Sequence, residues 1–186
     1  MIRLAALAAV VLLTASACGN SAAHGGSGVV TAGDIGLLRI DISTRADVVA
    51  FAGKPDVTSP GKTPWPGVPR YLALAYGCPG PSMPGLEACQ SVYYVNTKTH
   101  RLVAFYTHSP HFHTASGIQP GMDQNAADRI AHDTPQGPLD ALYESSPSDI
   151  FILTSSCRRV TADRCSGKVT AFMLESYHHG IGLTAT

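Results

Sequence analysis

The chain is short of charge. Only 14% of its 186 residues are Asp, Glu, Lys or Arg, and 13 basic residues cancel 13 acidic ones. Phosphate neutralisation needs clustered Lys and Arg, so the composition excludes a dedicated nucleic-acid binder. A disordered charged tail is excluded too, because 45% of the residues are apolar and the net charge is zero. Apolar runs of about twenty residues are missing, which removes a polytopic membrane protein. Catalytic signatures are equally scarce. There is no G-x-S-x-G elbow, no H-E-x-x-H motif and no G-x-G-x-x-G phosphate loop. Gly61-Lys62-Thr63 ends like a phosphate loop but lacks the upstream glycine and runs into Pro64, so it reads as a turn, and Glu87, Glu144 and Glu175 are scattered. These absences lead to the expectation of a non-enzymatic protein without a cofactor.

What is present begins with a targeting signal. Arg3 precedes the apolar run Leu4 to Leu13 and the small residues Thr14 to Ala17, immediately before Cys18. The run is too short to span a bilayer, which needs about 20 residues, and reads instead as an export signal over residues 1–17. Ala15-Ser16-Ala17-Cys18 resembles the lipobox of bacterial lipoproteins, with Ala15 where that family prefers Leu. Ala15-Ser16-Ala17 would also serve as an ordinary cleavage site. Cysteine parity decides between them. An exported chain pairs its thiols, and of five cysteines Cys78, Cys89, Cys157 and Cys165 make two pairs. Cys18 is left over at the processing point, where lipidation by acyl chains such as palmitate gives it a use. The expectation is a lipid-anchored protein on the extracytoplasmic face of the cell membrane. Residues 18–36, rich in Gly, Ser and Ala, read as a flexible tether.

Beyond the tether the chain repeats itself. Cys78 and Cys157 are 157 − 78 = 79 residues apart, and Cys89 and Cys165 are 165 − 89 = 76 apart. An apolar run precedes the first Cys of each pair, Tyr71 to Tyr76 and Ile150 to Leu153. Another follows the second Cys, Val103 to Thr107 and Thr170 to Leu174, each centred on Ala-Phe. Upstream, Ser43 to Phe51 corresponds to Met122 to Ile130, and both segments read as helices. Ser43 or Thr44 caps the first, with Asp47 as the reciprocal acid, Val48 and Phe51 on one face, and Gly53 with Pro55 as the stop. The second starts at Asp123, carries Ala126, Ala127 and Ile130, and stops before Pro135. The first half has an extra hairpin, Val92 to Val95, then Asn96 to Thr99, then Arg101-Leu102. The second half should have that arm shortened or missing. The fold expected is α+β: two tandem helix-plus-antiparallel-sheet units, residues 37–115 and 116–186, with one disulfide in each. Such a bridge contributes about 3 kcal/mol through loop-closure entropy.

This tandem pattern resembles the secreted beta-lactamase inhibitor proteins. Thr44 to Asp56 is also similar to the helix-to-strand passage of the small lipoproteins of outer-membrane beta-barrel assembly, which share the unit fold. The resemblance covers about Ile35 to the C-terminus. It implies a concave surface formed by two small sheets, with rim loops, that grips a partner protein through aromatic and polar side chains. No segment matches the inhibitors' binding loop, so the partner does not carry over.

The aromatic residues available for such a surface are Trp65, held between Pro64 and Pro66, and Tyr71, Tyr93, Tyr94, Tyr106 and Tyr177 on strands. Strand aromatics commonly pack against their neighbours. Trp65, Tyr71, Tyr93 and Tyr106 are the binding residues expected. A second arrangement, His108, His111 and His113 with His178 and His179 at the corresponding end of the second half, suggests metal or small-molecule binding as an alternative. Its spacing is poor for a metal. His111 and His113 share a strand face, His108 points away, and Pro110 prevents a helix from aligning His108 with His111. The functional expectation is a protein-binding module of the cell envelope, with an unidentified envelope or extracellular protein as partner.

Overall fold

Thr44 starts the first helix, α1 (Arg45–Ala52), through a reciprocal cap. The Asp47 amide donates to Thr44 Oγ1 at 3.3 Å, and the Thr44 amide donates to Asp47 Oδ2 at 2.7 Å. Gly53, at φ 85°, closes the other end by donating its N–H to the Val49 carbonyl. The computed structural model describes residues 25–31, 33–61, 70–80, 85–131, 141–144, 148–154, 159–161, 164–165 and 167–176. A second helix, α2 (Gln124–Ala131), starts where Asp123 Oδ1 accepts the Ala126 N–H at 3.2 Å. The strands are β1 (Gly28–Val30), β2 (Asp34–Ile35), β3 (Leu38–Arg39), β4 (Val57–Gly61), β5 (Tyr71–Tyr76), β6 (Ser91–Asn96), β7 (Leu102–Thr107) and β8 (Phe112–Thr114). After α2 come β9 (Ala141–Glu144), β10 (Ser148–Thr154), β11 (Arg159–Thr161), β12 (Arg164–Cys165) and β13 (Val169–Ser176).

Strand outnumbers helix. Seven strands form one sheet in the order β4-β5-β6-β7-β13-β10-β9, every pair antiparallel. Alternation gives this sheet a core face. Leu74, Tyr93, Phe105 and Leu174 lie opposite one another on successive strands and are fully buried. Val48 and Ala52 of α1 and Ala127 of α2 pack into the same cluster. Each large apolar side chain so buried contributes roughly 1.5–3 kcal/mol. Rings continue the contact sideways: Tyr76 to Tyr93 at 5.6 Å, Tyr93 to Phe105 at 4.7 Å, and Phe105 to Phe112 at 5.1 Å between centroids. Phe112 belongs to a smaller sheet, order β3-β2-β1-β8, whose Val30, Ile35 and Leu38 close the same core. The outer strand β4 carries Pro60, a residue confined to strand edges because it has no N–H for a ladder.

Both helices are approached by the same backbone contacts. The Asp41 amide donates to the Leu102 carbonyl at 2.8 Å, and the Leu102 amide to the Ser43 carbonyl at 2.7 Å. The Gly121 amide donates to Val169 O at 2.7 Å, and the Val169 amide to Met122 O at 2.9 Å. Isolated bridges join Thr44 to Arg101 and Asp123 to Lys168. Asp41 takes a left-handed φ of 62°, and Gly121 one of 90°.

Three sequence expectations change. Strands of both halves lie in one sheet, joined by β7 and β13, where the resemblance implied two small sheets. Pairing β7 with β13 satisfies two backbone edges at once. The stretch expected to be a tether is structured from Gly25 onward, and a unit boundary at residue 37 cuts the β2–β3 hairpin. The glycines there have geometric work: a Cβ on Gly26, at φ +84°, would lie 2.4 Å from Phe51 Cε1 and 2.9 Å from Tyr93 Oη. After Cys165, where a shortened or missing arm was expected, no strand is described between β12 and β13, and β13 pairs directly with β10, whereas β6 lies between β7 and β5.

Candidate binding face

On β5, β6 and β7 the residues alternating with the core set point to the other face of the large sheet. That face has small residues at its centre, Ala73, Ala75 and Ala104, together with Val92, all fully buried. Tyrosines surround them. Tyr71 meets Tyr94 edge-on at 5.2 Å between ring centroids, with planes at 80°. Tyr106 lies across from Val92 on one side and Met173 on the other, and its ring stands edge-on to His108 at 6.2 Å.

The Cys78–Cys89 disulfide, spanning a sequence separation of 11, folds the β5–β6 connection against this face. Leu86, in a single 3-10 turn at Leu86–Ala88, packs with both cysteines onto the same cluster. The Cys78 amide donates to Asp56 Oδ2 at 3.1 Å, tying the connection to the start of β4. Glu87 stands exposed on that turn.

Burial is the first cause of every tyrosine shift here. It pushes the Tyr94 hydroxyl far up, helped by Tyr71, Glu87 and Tyr106 in that order. Tyr106 moves the same way, through burial and then Glu87. Both are therefore phenols at neutral pH, able to donate and accept hydrogen bonds but not to act as bases. Burial pushes the His108 imidazole down, which favours its neutral form.

The expected site residues separate. Tyr71 and Tyr106 are half-buried on the face just described. Tyr93, expected to bind a partner, is instead fully buried in the core, and its hydroxyl donates to the Gly25 carbonyl at 2.7 Å. Strand alternation sends Tyr93 and Tyr94 to opposite faces, and with two adjacent tyrosines the sequence offers no way to tell which one faces the core. Tyr94 goes to the other face, where it is buried in the cluster with Ala73 and Ala104. Trp65, Cys18, Cys157, Tyr177, His178 and His179 lie outside the described residues, as does any bridge between Cys157 and Cys165. His111 is exposed, His113 sits on β8 opposite Val29, and no group of three metal-ligating side chains occurs among the described residues. Among the described residues no helix is long and apolar enough to cross a membrane. No protein-family model, curated protein or solved structure matches the chain.

Proposed function

We propose that this protein is a non-enzymatic, lipid-anchored binding module of the cell envelope, held to the membrane through Cys18, that uses the tyrosine-bearing sheet face to grip another protein. One observation carries the binding half of this reading: Tyr71 and Tyr106, both partly exposed, stand on the sheet face turned away from the main core, with the buried Tyr94 edge-on to Tyr71. Tyrosine is enriched at protein interfaces because a rigid ring supplies area while the hydroxyl supplies a hydrogen bond at low entropic cost. The Cys78–Cys89 bridge favours the same use, since a fixed surface loses less freedom on association.

The body itself reads as a duplicated unit. The support is the paired contacts at the two helix starts, because Ser43 and Met122 are 79 apart, and Leu102 and Val169 stand at the same place relative to the Ala-Phe of their strands. The two copies then share a sheet through β7 and β13.

The test is site-specific photo-crosslinking in intact cells. A photoreactive residue at Tyr71 or Tyr106 should yield a covalent protein adduct, and one at Lys98, in the β6–β7 turn, should not. Equal labelling at all three sites, or none at Tyr71 and Tyr106 in correctly folded protein, rejects the assignment of this face.

A further inference from the structure

The large exposed apolar residues among those described are Val29, Leu37 and Ile42, and all fall in the first seventeen described positions. Single exposed apolar residues need no explanation, but one at a hairpin tip with a second on the strand beside it does. Leu37 is the extreme case at 88% exposure. It occupies the second loop position of the β2–β3 hairpin, where Ile35 pairs with Leu38 and Gly36 takes the positive φ of 58°. Such loops ordinarily carry Asn, Asp or Ser after the glycine. The turn does not require a leucine, and the core does not contain it.

The position of this hairpin follows from the chain preceding it. Gly25 is fixed in the body: its amide donates to the Ala52 carbonyl at 3.1 Å, and its carbonyl accepts from Tyr93 Oη at 2.7 Å. Two residues later the Ser27 carbonyl lies against Gly36, and the Gly36 amide donates to Val29 O at 2.8 Å. Leu37 and Val29 are thus neighbours of the point where the chain enters the body. From Cys18 to Gly25 there are 25 − 18 = 7 Cα steps, which reach about 25 Å at most. A lipid on Cys18 would hold the bilayer surface within that distance of the hairpin.

Charge does not oppose contact. Asp34 and Arg39 flank the tip and pair with each other, Nε to Oδ1, at 3.2 Å. At Ile42 the backbone carbonyl accepts from the Arg101 guanidinium, which fixes the turn bearing the exposed side chain.

We infer that the β2–β3 hairpin tip, through Leu37 with Val29 of the adjoining strand, inserts into the interface of the phospholipid bilayer that carries the Cys18 lipid. The inference rests on the lipidation reading above. Insertion gives the body a second membrane contact and so restricts its orientation.

The experiment places the single reporter tryptophan at the tip. In full-length protein carrying Trp65→Phe, Leu37→Trp is compared with Lys98→Trp on vesicles containing brominated phospholipid, with retained circular dichroism as the folding check. Quenching at position 37 is expected to exceed that at position 98 at least threefold, with a blue-shifted emission. Mass spectrometry reports acylation separately. Acylated, vesicle-bound protein with equal quenching at both positions overturns the inference. If Cys18 carries no lipid, the lipidation reading fails, and the same comparison on protein coupled at Cys18 to a maleimide phospholipid decides the tip on its own.

Discussion

Tyr106 and Met173 stand directly opposite each other where β7 meets β13, among the described residues the only ladder in the large sheet that joins strands from before and after α2. Through this pair, strands far apart in sequence become one hydrogen-bonded layer over one core. The layer should unfold as a unit. In urea, fluorescence and circular dichroism are expected to report a single coincident transition, and Phe172→Ala, which empties a fully buried ring site beside this ladder, should lower stability by about 3–5 kcal/mol. Two separable transitions would mean the halves fold independently.

The two ends of α1 and the chain that packs on it make a contrast between glycines. Gly26→Ala would drive a Cβ into Phe51 and Tyr93 at a positive φ, whereas Gly53→Ala, also at positive φ, meets nothing within 4 Å. The second change should cost about 1 kcal/mol from backbone strain alone, and the first at least twice that. Urea midpoints of the two variants check the order.

The helix cap gives an acid-side prediction. Hydrogen bonds from the Thr44 backbone and then its side chain hold the Asp47 carboxyl below its usual value of 3.8. A depressed native value means the contribution is present above the unfolded value and is lost as pH falls through the lower folded one. Thr44→Ala should destabilise by about 1 kcal/mol, whereas Asp47→Asn should destabilise at neutral pH by a difference that shrinks as pH falls below 3.8. A difference independent of pH would remove Asp47 from the cap.

Alkali tests the core from the other side. Burial pushes the Tyr76 hydroxyl up to about 12, and Tyr93 well above its ordinary 10.0. A raised native value contributes stability that is full below the unfolded value near 10 and is lost as pH rises through the folded one. Phenolate absorbance should therefore show a fraction of the tyrosines ionising only together with unfolding. A smooth titration of every tyrosine near pH 10 in folded protein would contradict their burial.

Removal of the bridge should loosen the candidate face rather than the core. Cys78→Ala with Cys89→Ala is expected to cost about 3 kcal/mol. Faster amide exchange should be concentrated in β5 and β6 beside the Leu86 turn, with α1 unaffected.

Much of this architecture was readable from local chemistry. The Thr44–Asp47 cap, the Gly53 stop and the strand Tyr71 to Tyr76 follow from patterns complete within a few residues. The pairing of Cys78 with Cys89 followed from parity and spacing. What escaped depends on distant partners. A glycine-rich segment looks the same whether it is a spacer or a close-packed strand, and only Phe51 and Tyr93 make Gly26 obligatory. Likewise β1 pairs in parallel with β8, Gly28 opposite Phe112, a contact across 84 residues with no local signature. The Tyr93-Tyr94 pair was ambiguous for the opposite reason, since two like residues give alternation nothing to sort.

Because Gly25 is gripped by Ala52 and Tyr93, a pull on the chain upstream meets no slack within the body. Tension at that end acts on the end of α1 through Ala52 and on β6 through Tyr93. The attachment therefore works as a stiff bracket: whichever way the upstream segment is drawn, the sheet turns with it.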